Sequence, residues 1–196
     1  MSAPDPLLLG SASPRRRAIL EHHGIAFEAV APQVDEALAE RAPHWTALEN
    51  ARRKQAWCRA RFPGRHILTA DTVVVFEDRC IAKPASLAEA HAFLAMFSGR
   101  SQEILTGLVY AGPDVPWRGA VVQSAVVFRT LTDSRIAAYF DRVDPLDKAG
   151  AYDIGQHGDM LIARWCGSYS NIMGLPAETV VEWLSDTSRT GTMPRA

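Results

Sequence analysis

Short runs of continuous apolar residues alternate along this chain with segments whose apolar positions recur every three or four residues, and that change of period marks out strands and helices. Leu7-Leu8-Leu9 reads as a short buried strand. The small polar turn Gly10-Ser11-Ala12-Ser13 follows, then an amphipathic segment from Pro14 to His23 in which Ala18, Ile19 and His22 share a face. Ser13 is a natural N-cap and Pro14 a natural first helical residue, so this helix has a well-marked start. A second strand is expected from Phe27 to Val30. Thr46-Ala-Leu-Glu49 has the spacing of a capping box and predicts a helix from there to about Arg61, with Lys54 on it.

His66 to Phe76 is strand-like, Glu77-Asp78-Arg79 predicts a tight turn, and Cys80 to Ala82 pairs back as a hairpin closed by Lys83-Pro84. Ser86-Leu-Ala-Glu89 is a second capping box, after which Leu87, Ala90, Phe93, Leu94 and Phe97 form one helical face that ends at Ser98-Gly99. Two long strands are expected at Gln102 to Ala111 and Trp117 to Leu131, joined by a Gly112-Pro113-Asp114 turn. Ile136, Ala137, Tyr139 and Phe140 suggest a further interior helix. Glycine-studded stretches at 147–158 and 167–176 precede a last helix of about Ala177 to Leu184. No repeat or linker interrupts this order. It predicts one α/β domain over residues 1–185, a mixed twisted sheet flanked by helices, with a frayed tail at 186–196.

Composition narrows the function classes. The 196 residues are 47% apolar, which excludes general disorder, and 21 basic against 22 acidic residues leave no field of one sign to draw the whole protein onto nucleic acid or membrane. Any anion site is therefore local. No uncharged apolar run approaches the about 20 residues that span a bilayer, and no basic segment precedes an apolar leader, so a cytoplasmic location is expected. Cys58, Cys80 and Cys166 have neither zinc nor disulfide spacing and read as small buried hydrophobes.

Arg15, Arg16 and Arg17 crowd the first turn of a helix, where the helix dipole penalises cations, so something anionic should offset them. A strand entering a helix through a Gly/Ser turn is itself a ready anion site, with the hydroxyls of Ser11 and Ser13 and free backbone N–H groups aimed at one spot. Successive helical residues rotate by roughly 100°, so at most two of the three arginines reach one ligand. A capped helix with a solvated basic face explains the arginines as well. Asp71 stands in an apolar strand, and a carboxylate buried there unpaired would cost several kcal/mol, so it requires a cation, a metal or an opening to water. A structural salt bridge would satisfy it equally.

Only three of the basic residues are lysine: Lys54, Lys83 and Lys148. In a chain that relies on arginine for its positive charge, each lysine invites a chemical reason, and an ammonium is a compact charge that approaches a single phosphate oxygen. Glu36, beside Asp35 between two predicted elements, offers another carboxylate, and a pair of carboxylates holds Mg²⁺ together with substrate phosphates, although most loop acids are merely solvated. Lys148-Ala-Gly-Ala-Tyr152 and Gly155-Gln156-His157-Gly158 place small residues beside cationic and amide donors, which suits close backbone approach to a ligand or a plain irregular turn.

Together these motifs resemble the Maf family: Ser11-Ala-Ser13-Pro-Arg15-Arg16, Ala70-Asp71-Thr72-Val73, Lys83-Pro84, Ser98-Gly99-Arg100 with Thr106-Gly107, Asp147-Lys148-Ala-Gly-Ala-Tyr152, and Gly167-Ser-Tyr169 through Gly174-Leu-Pro176. The resemblance spans almost the whole chain. It implies an elongated two-lobed α/β fold with a central cleft, related to inosine-triphosphate pyrophosphatases, and a homodimer. It implies hydrolysis of nucleoside triphosphates to the monophosphate and pyrophosphate with Mg²⁺ or Mn²⁺. Asp71 matches the family's proton acceptor, with Glu36, Lys54 and Lys83 around metal and triphosphate, so that Asp71 and Glu36 would hold the metal. Ser11, Ser13 and Arg16 match the phosphate turn. Arg15 and Thr72 match the subgroup acting on dTTP and UTP, Lys148 falls on a further motif, and Gln156 is displaced by one position from that subgroup's pattern. Gly10 stands where the family has alanine, which should loosen the turn.

Two rival readings differ in kind. One is a pyrophosphatase for ITP, XTP or 7-methyl-GTP, with the same chemistry and different base recognition. The other is a nucleotide- or nucleic-acid-binding regulator of cell division without catalysis, which leaves the lysines around Asp71 without a purpose.

Overall fold

The computed structural model describes residues 6–113 and 115–190, with side chains to residue 186. The first strand, β1 (Leu7–Gly10), leads into α1 (Pro14–His22) and β2 (Phe27–Val30), and a long irregular segment then reaches α2 (Pro43–Arg61). The hairpin β3 (Ile67–Phe76) and β4 (Arg79–Ile81) follows, then α3 (Leu87–Phe97), β5 (Ser101–Gly112), β6 (Val115–Phe128) and α4 (Asp133–Phe140). The chain closes with β7 (Ile162–Cys166), α5 (Tyr169–Ile172) and α6 (Ala177–Thr190). Of the expected turn between β5 and β6, Asp114 lies outside the described residues, as does 191–196 of the expected tail. Residues 186–190 of that tail continue α6.

Local chemistry explains most boundaries. Ser13 caps α1, its hydroxyl accepting the Arg16 N–H at 3.4 Å, with Pro14 in the first turn. Ser86 caps α3 through the Glu89 N–H at 3.2 Å, while the Glu89 carboxylate accepts the Ala85 N–H at 2.6 Å. The capping box expected at Thr46 does not form. Pro43 starts α2 three residues earlier behind Ala42, and the Thr46 hydroxyl instead donates to the Ala42 carbonyl at 3.0 Å and accepts the Ala39 N–H at 3.2 Å. Glu77 and Asp78 both adopt positive φ (49° and 63°), the backbone of a tight hairpin turn that matches the twist of its strands. The strand β7 was not expected, because its residues after Ile162 are exposed and show no alternation.

Seven strands form one mixed sheet in the order β2-β1-β3-β5-β6-β7, with β4 also on β3. The site follows from how β3 is partnered. Along one edge, β1 pairs in parallel with Ile67 to Thr69 and β4 pairs antiparallel with Val74 to Phe76. Neither covers Ala70 to Val73, so the sheet has a notch there. Cores differ on either side of it. Leu68, Ala70, Leu108 and Tyr110 join β1, α1 and α6 in one cluster, while Phe76, Ile104 and Phe128 join α3 and α4 in another. Where β3 and β5 pass from one core to the other, the paired residues are polar: Thr72 opposite Thr106, next to Asp71 opposite Gly107. This is the expected two-lobed α/β fold with a central cleft.

Two expectations about small residues are corrected. Gly10 gives packing rather than freedom, since a Cβ there would meet Cys58 Sγ and Thr69 Cγ2 at 2.7 Å each. Cys58 and Cys80 are buried as expected, but Cys166 on the edge strand β7 is exposed.

Candidate active site

The notch at 70–73 opens into a cleft of about 480 Å³ whose lining includes the Ser11–Arg16 turn, Glu36, Lys54, Asp71, Thr72, Lys83, Asp147, Lys148, Gln156 and Gly174. Every residue expected at a site from the sequence is brought together there. Hollows of about 580 Å³ beside Glu77 and Arg79, and about 570 Å³ beside Trp165 and Tyr169, are as roomy but set no buried carboxylate against a lysine. All three lysines of the chain line the cleft. With Arg15 and Arg16 they give five cationic side chains against the carboxylates of Glu36, Asp71 and Asp147, a local positive balance in a chain of net charge −1.

Strand alternation points Asp71 toward α2, with Thr69 and Val73 on the same face, and helical spacing brings Asn50 and Lys54 over it. Asp71 is 7% exposed. Lys54 Nζ donates to Asp71 Oδ1 at 2.6 Å and lies 2.7 Å from Glu36 Oε1, and Asn50 Nδ2 donates to Asp71 Oδ2 at 3.0 Å. The carboxylate thus has the cation its burial demands. Each oxygen retains a second lone pair for a ligand in the cleft. Burial would raise the Glu36 carboxyl, but the hydrogen bond and charge of Lys54, with Lys83 and Arg16 beyond, outweigh it and hold Glu36 below the ordinary carboxylate range.

Thr72 faces the other way, toward α1. Arg16 donates Nε–H to the Gly174 carbonyl at 2.7 Å, and its two terminal nitrogens donate to Ser11 Oγ and Thr72 Oγ1, each at 3.0 Å. Burial pulls this guanidinium below its ordinary value, opposed by the nearby Asp71 carboxylate. Ser13 lies in the same turn, where it caps α1. The three arginines fan out as helical geometry requires: Arg15 and Arg16 line the cleft, and Arg17 is exposed outside it. Arg15 finds its anion in Asp153, at 2.9 Å. Lys83 is exposed at the rim, with no ion pair among the described residues. Lys148 is 5% exposed and bonded within its own segment, to the Asp144 carbonyl at 2.9 Å and to the Asp147 carboxylate.

Sequence reasoning missed Asn50 and Asp153. Thr46, Asn50 and Lys54 recur at four-residue spacing beside Ala47, Ala51 and Cys58 on the buried side of α2, and that polar stripe was a readable signal. Asp153 is 5% exposed and accepts from Arg15, from the Gly155 N–H at 2.9 Å and from Gln156 Nε2 at 3.1 Å. Nothing in the spacing of Arg15 and Asp153 announced that pair.

Among the described residues no group of three His, Cys, Asp or Glu converges as a metal cage. Glu36 and Asp71 share Lys54 as partner, and two carboxylates are the donor set for Mg²⁺ or Mn²⁺ when phosphate oxygens and water complete the shell. The residues present fit such a shared ion.

A mixed α/β sheet with a positively balanced notch, a serine–arginine turn on one side and an acid–lysine pair on the other, defines a class of proteins suited to hold a phosphorylated ligand beside a carboxylate. Within that class the chain belongs to the Maf family, residues 6–187 matching the family described as Maf-like protein. It is 40% identical over 181 residues to a Moorella thermoacetica protein named dTTP/UTP pyrophosphatase, which covers 91% of this chain and 93% of that one. A Deinococcus radiodurans protein of the same name is 39% identical, covering 91% of each chain. Among solved structures, the Staphylococcus aureus Ham1 protein aligns over 94% of this chain and 100% of its own, with a TM-score of 0.50 and 12% identity, a likeness of fold. No described helix is long and apolar enough to cross a membrane.

Proposed function

We propose that this protein hydrolyses nucleoside triphosphates between the α- and β-phosphates, releasing the monophosphate and pyrophosphate, with dTTP and UTP as preferred substrates. The observation that carries the proposal is the meeting of Asp71, Lys54 and Glu36 with the Ser11–Arg16 turn in one positively balanced cleft. The names of the relatives support the pyrimidine preference.

In this reading the triphosphate lies along the Ser11–Ser13 turn, held by its hydroxyls and Arg16, with Lys148 beside it and Arg15, Thr72 and Gln156 on the base-facing side. Asp71 orients a water at the α–β anhydride and takes its proton as the oxygen bonds to phosphorus. Lys54 and Lys83 neutralise the charge that accumulates on the departing pyrophosphate. Glu36 and Asp71 would hold Mg²⁺ or Mn²⁺, which when bound supplies charge neutralisation at the phosphate oxygens. Positioning and electrostatics account for most of the rate, as in phosphoryl transfers generally. A homodimer and a cytoplasmic location complete the proposal, the first open to sedimentation analysis.

The test is a panel of dTTP, UTP, GTP, ITP and 7-methyl-GTP, with and without added Mg²⁺ or Mn²⁺, in which pyrophosphate and monophosphate are quantified together. Divalent-dependent release of pyrophosphate, fastest from dTTP and UTP, is expected. Release of orthophosphate and the nucleoside diphosphate, or binding with no cleavage, overturns the proposal.

A further inference from the structure

Asn50 lies inside a helix, where its short polar side chain is a poor helix former, and it is 2% exposed. Its carboxamide is fully engaged. Nδ2 donates one N–H to Asp71 Oδ2 at 3.0 Å and the other to the Ala37 carbonyl at 3.1 Å, while Oδ1 accepts the Ala37 N–H at 2.7 Å. One turn further along α2, Lys54 joins Asp71 to Glu36, the residue next to Ala37. The helix therefore ties β3 to residues 36–37 twice, once through charge and once through a neutral amide.

We infer that Asn50 is a positioning residue, which fixes the aim of the Asp71 carboxylate and the place of Glu36 through one carboxamide that grips both. The inference rests on the proposed hydrolytic role of Asp71. Residues 31–39 between β2 and α2 form no regular structure, and the Glu36 side chain is 56% exposed, so its own contact with Lys54 is a loose hold. Gripping both the N–H and the carbonyl of Ala37 sets the neighbouring peptide in a single orientation, and Glu36 with it. On the other side, Lys54 and Asn50 each take one Asp71 oxygen and fix the plane of the carboxylate across the notch. Only asparagine supplies two N–H groups and an acceptor at this reach. Aspartate has no donor, leucine fills the volume without either, and glutamine is a methylene too long.

The test compares wild type with Asn50→Leu, Asp71→Asn and the double variant Asn50→Leu/Asp71→Asn, reading kcat and KM for dTTP and the hydrogen exchange of the Ala37 amide. Outer partners that orient a working side chain are typically worth about 10- to 100-fold. Asn50→Leu is expected to lose about that factor in kcat with KM moved by less than about threefold. Its Ala37 amide should exchange faster while amides of α1 are unchanged. The double variant should lose less than the product of the two single losses, since the part of the Asn50 effect that passes through the Asp71 carboxylate is already gone and only the part carried by Glu36 remains. A folded Asn50→Leu protein with wild-type kcat, or losses that multiply in the double variant, overturns the inference. If Asn50→Leu does not fold, Asn50→Ser is read in the same way. A wild-type protein that releases no pyrophosphate overturns the enzymatic proposal instead, so the two failures are distinguishable.

Discussion

Arg15 and Arg16 are consecutive in the chain yet belong to different kinds of surface. Arg16, 8% exposed, gives three hydrogen bonds to Ser11, Thr72 and the Gly174 carbonyl, and together with Asp71, Lys54 and Asn50 it makes an inner wall whose side chains are held by one another before any ligand arrives, with lone pairs on Asp71 and N–H groups on Arg16 still free for one. The Arg15 side chain is 36% exposed with a single partner, and beyond it Gln156 and Lys83 stand in solvent at the rim. The contrast separates two tasks. Charges on the inner wall are compensated by folding, so they fix geometry. Charges on the rim keep their hydration until a polyanion displaces it, so they contribute attraction that salt can weaken.

The sharpest way to break that distinction lies on the inner wall. Asp71→Asn preserves volume and can keep an acceptor for Asn50, but it removes the proposed proton acceptor, a role typically worth about 10²–10⁴-fold. Turnover should fall by that factor while nucleotide affinity, measured by calorimetry, stays close to wild type. Near-normal turnover would show that the inner wall is scaffolding. Next in size is Lys54→Met, which strands the Asp71 carboxylate with only the Asn50 amide. Removing one partner of a buried pair costs about 3 kcal/mol or more, and denaturant unfolding should show it. Adding Asp71→Leu to Lys54→Met should recover most of that loss, because both charges are then gone. No recovery would mean that Lys54 acts through packing alone.

Periodicity and turn chemistry made the larger elements legible, from the Ser13 and Ser86 caps to the β3–β4 hairpin. Much of the lining of the candidate cleft was legible residue by residue: a carboxylate among valines, three lysines in an arginine-rich chain, arginines where a dipole opposes them. The notch was not. It exists because β1 stops opposite Thr69 and β4 ends opposite Val74, and where two strands stop along a third depends on tertiary pairing that no local pattern encodes. For the same reason β7 was missed, since an edge strand with exposed side chains shows no alternation. Asp153 escaped because its partners Arg15 and Gln156 are 138 and three residues away, and only the folded chain makes them one group.

That group yields a smaller effect that sharpens the comparison. Asp153→Asn keeps an oxygen for the Gly155 N–H but removes the charge that holds Arg15 and the acceptor shared with Gln156. Losing that common anchor should raise KM for dTTP by about tenfold, equivalent to about 1.4 kcal/mol, and leave kcat within about threefold. A loss confined to kcat would move Arg15 and Gln156 from the rim to the inner wall.

Smallest of all is the expected effect of Lys83→Ala. This ammonium is exposed and acts across solvent on Glu36 and on whatever anion fills the cleft. Its contribution to the departing pyrophosphate should be about fivefold in kcat/KM at low ionic strength, in line with about 1 kcal/mol for a screened charge pair. The Debye length shrinks from about 10 Å at 0.1 M salt to about 3 Å at 1 M, so the difference between wild type and Lys83→Ala should narrow steadily along a salt series, whereas the deficit of Asp71→Asn should not change. Lys83→Arg should keep most of the rate at low salt, because long-range attraction needs only the charge. A Lys83→Ala deficit that stays constant with salt would place Lys83 in direct contact with the reacting phosphates, and the rim would then share in the task of fixing geometry.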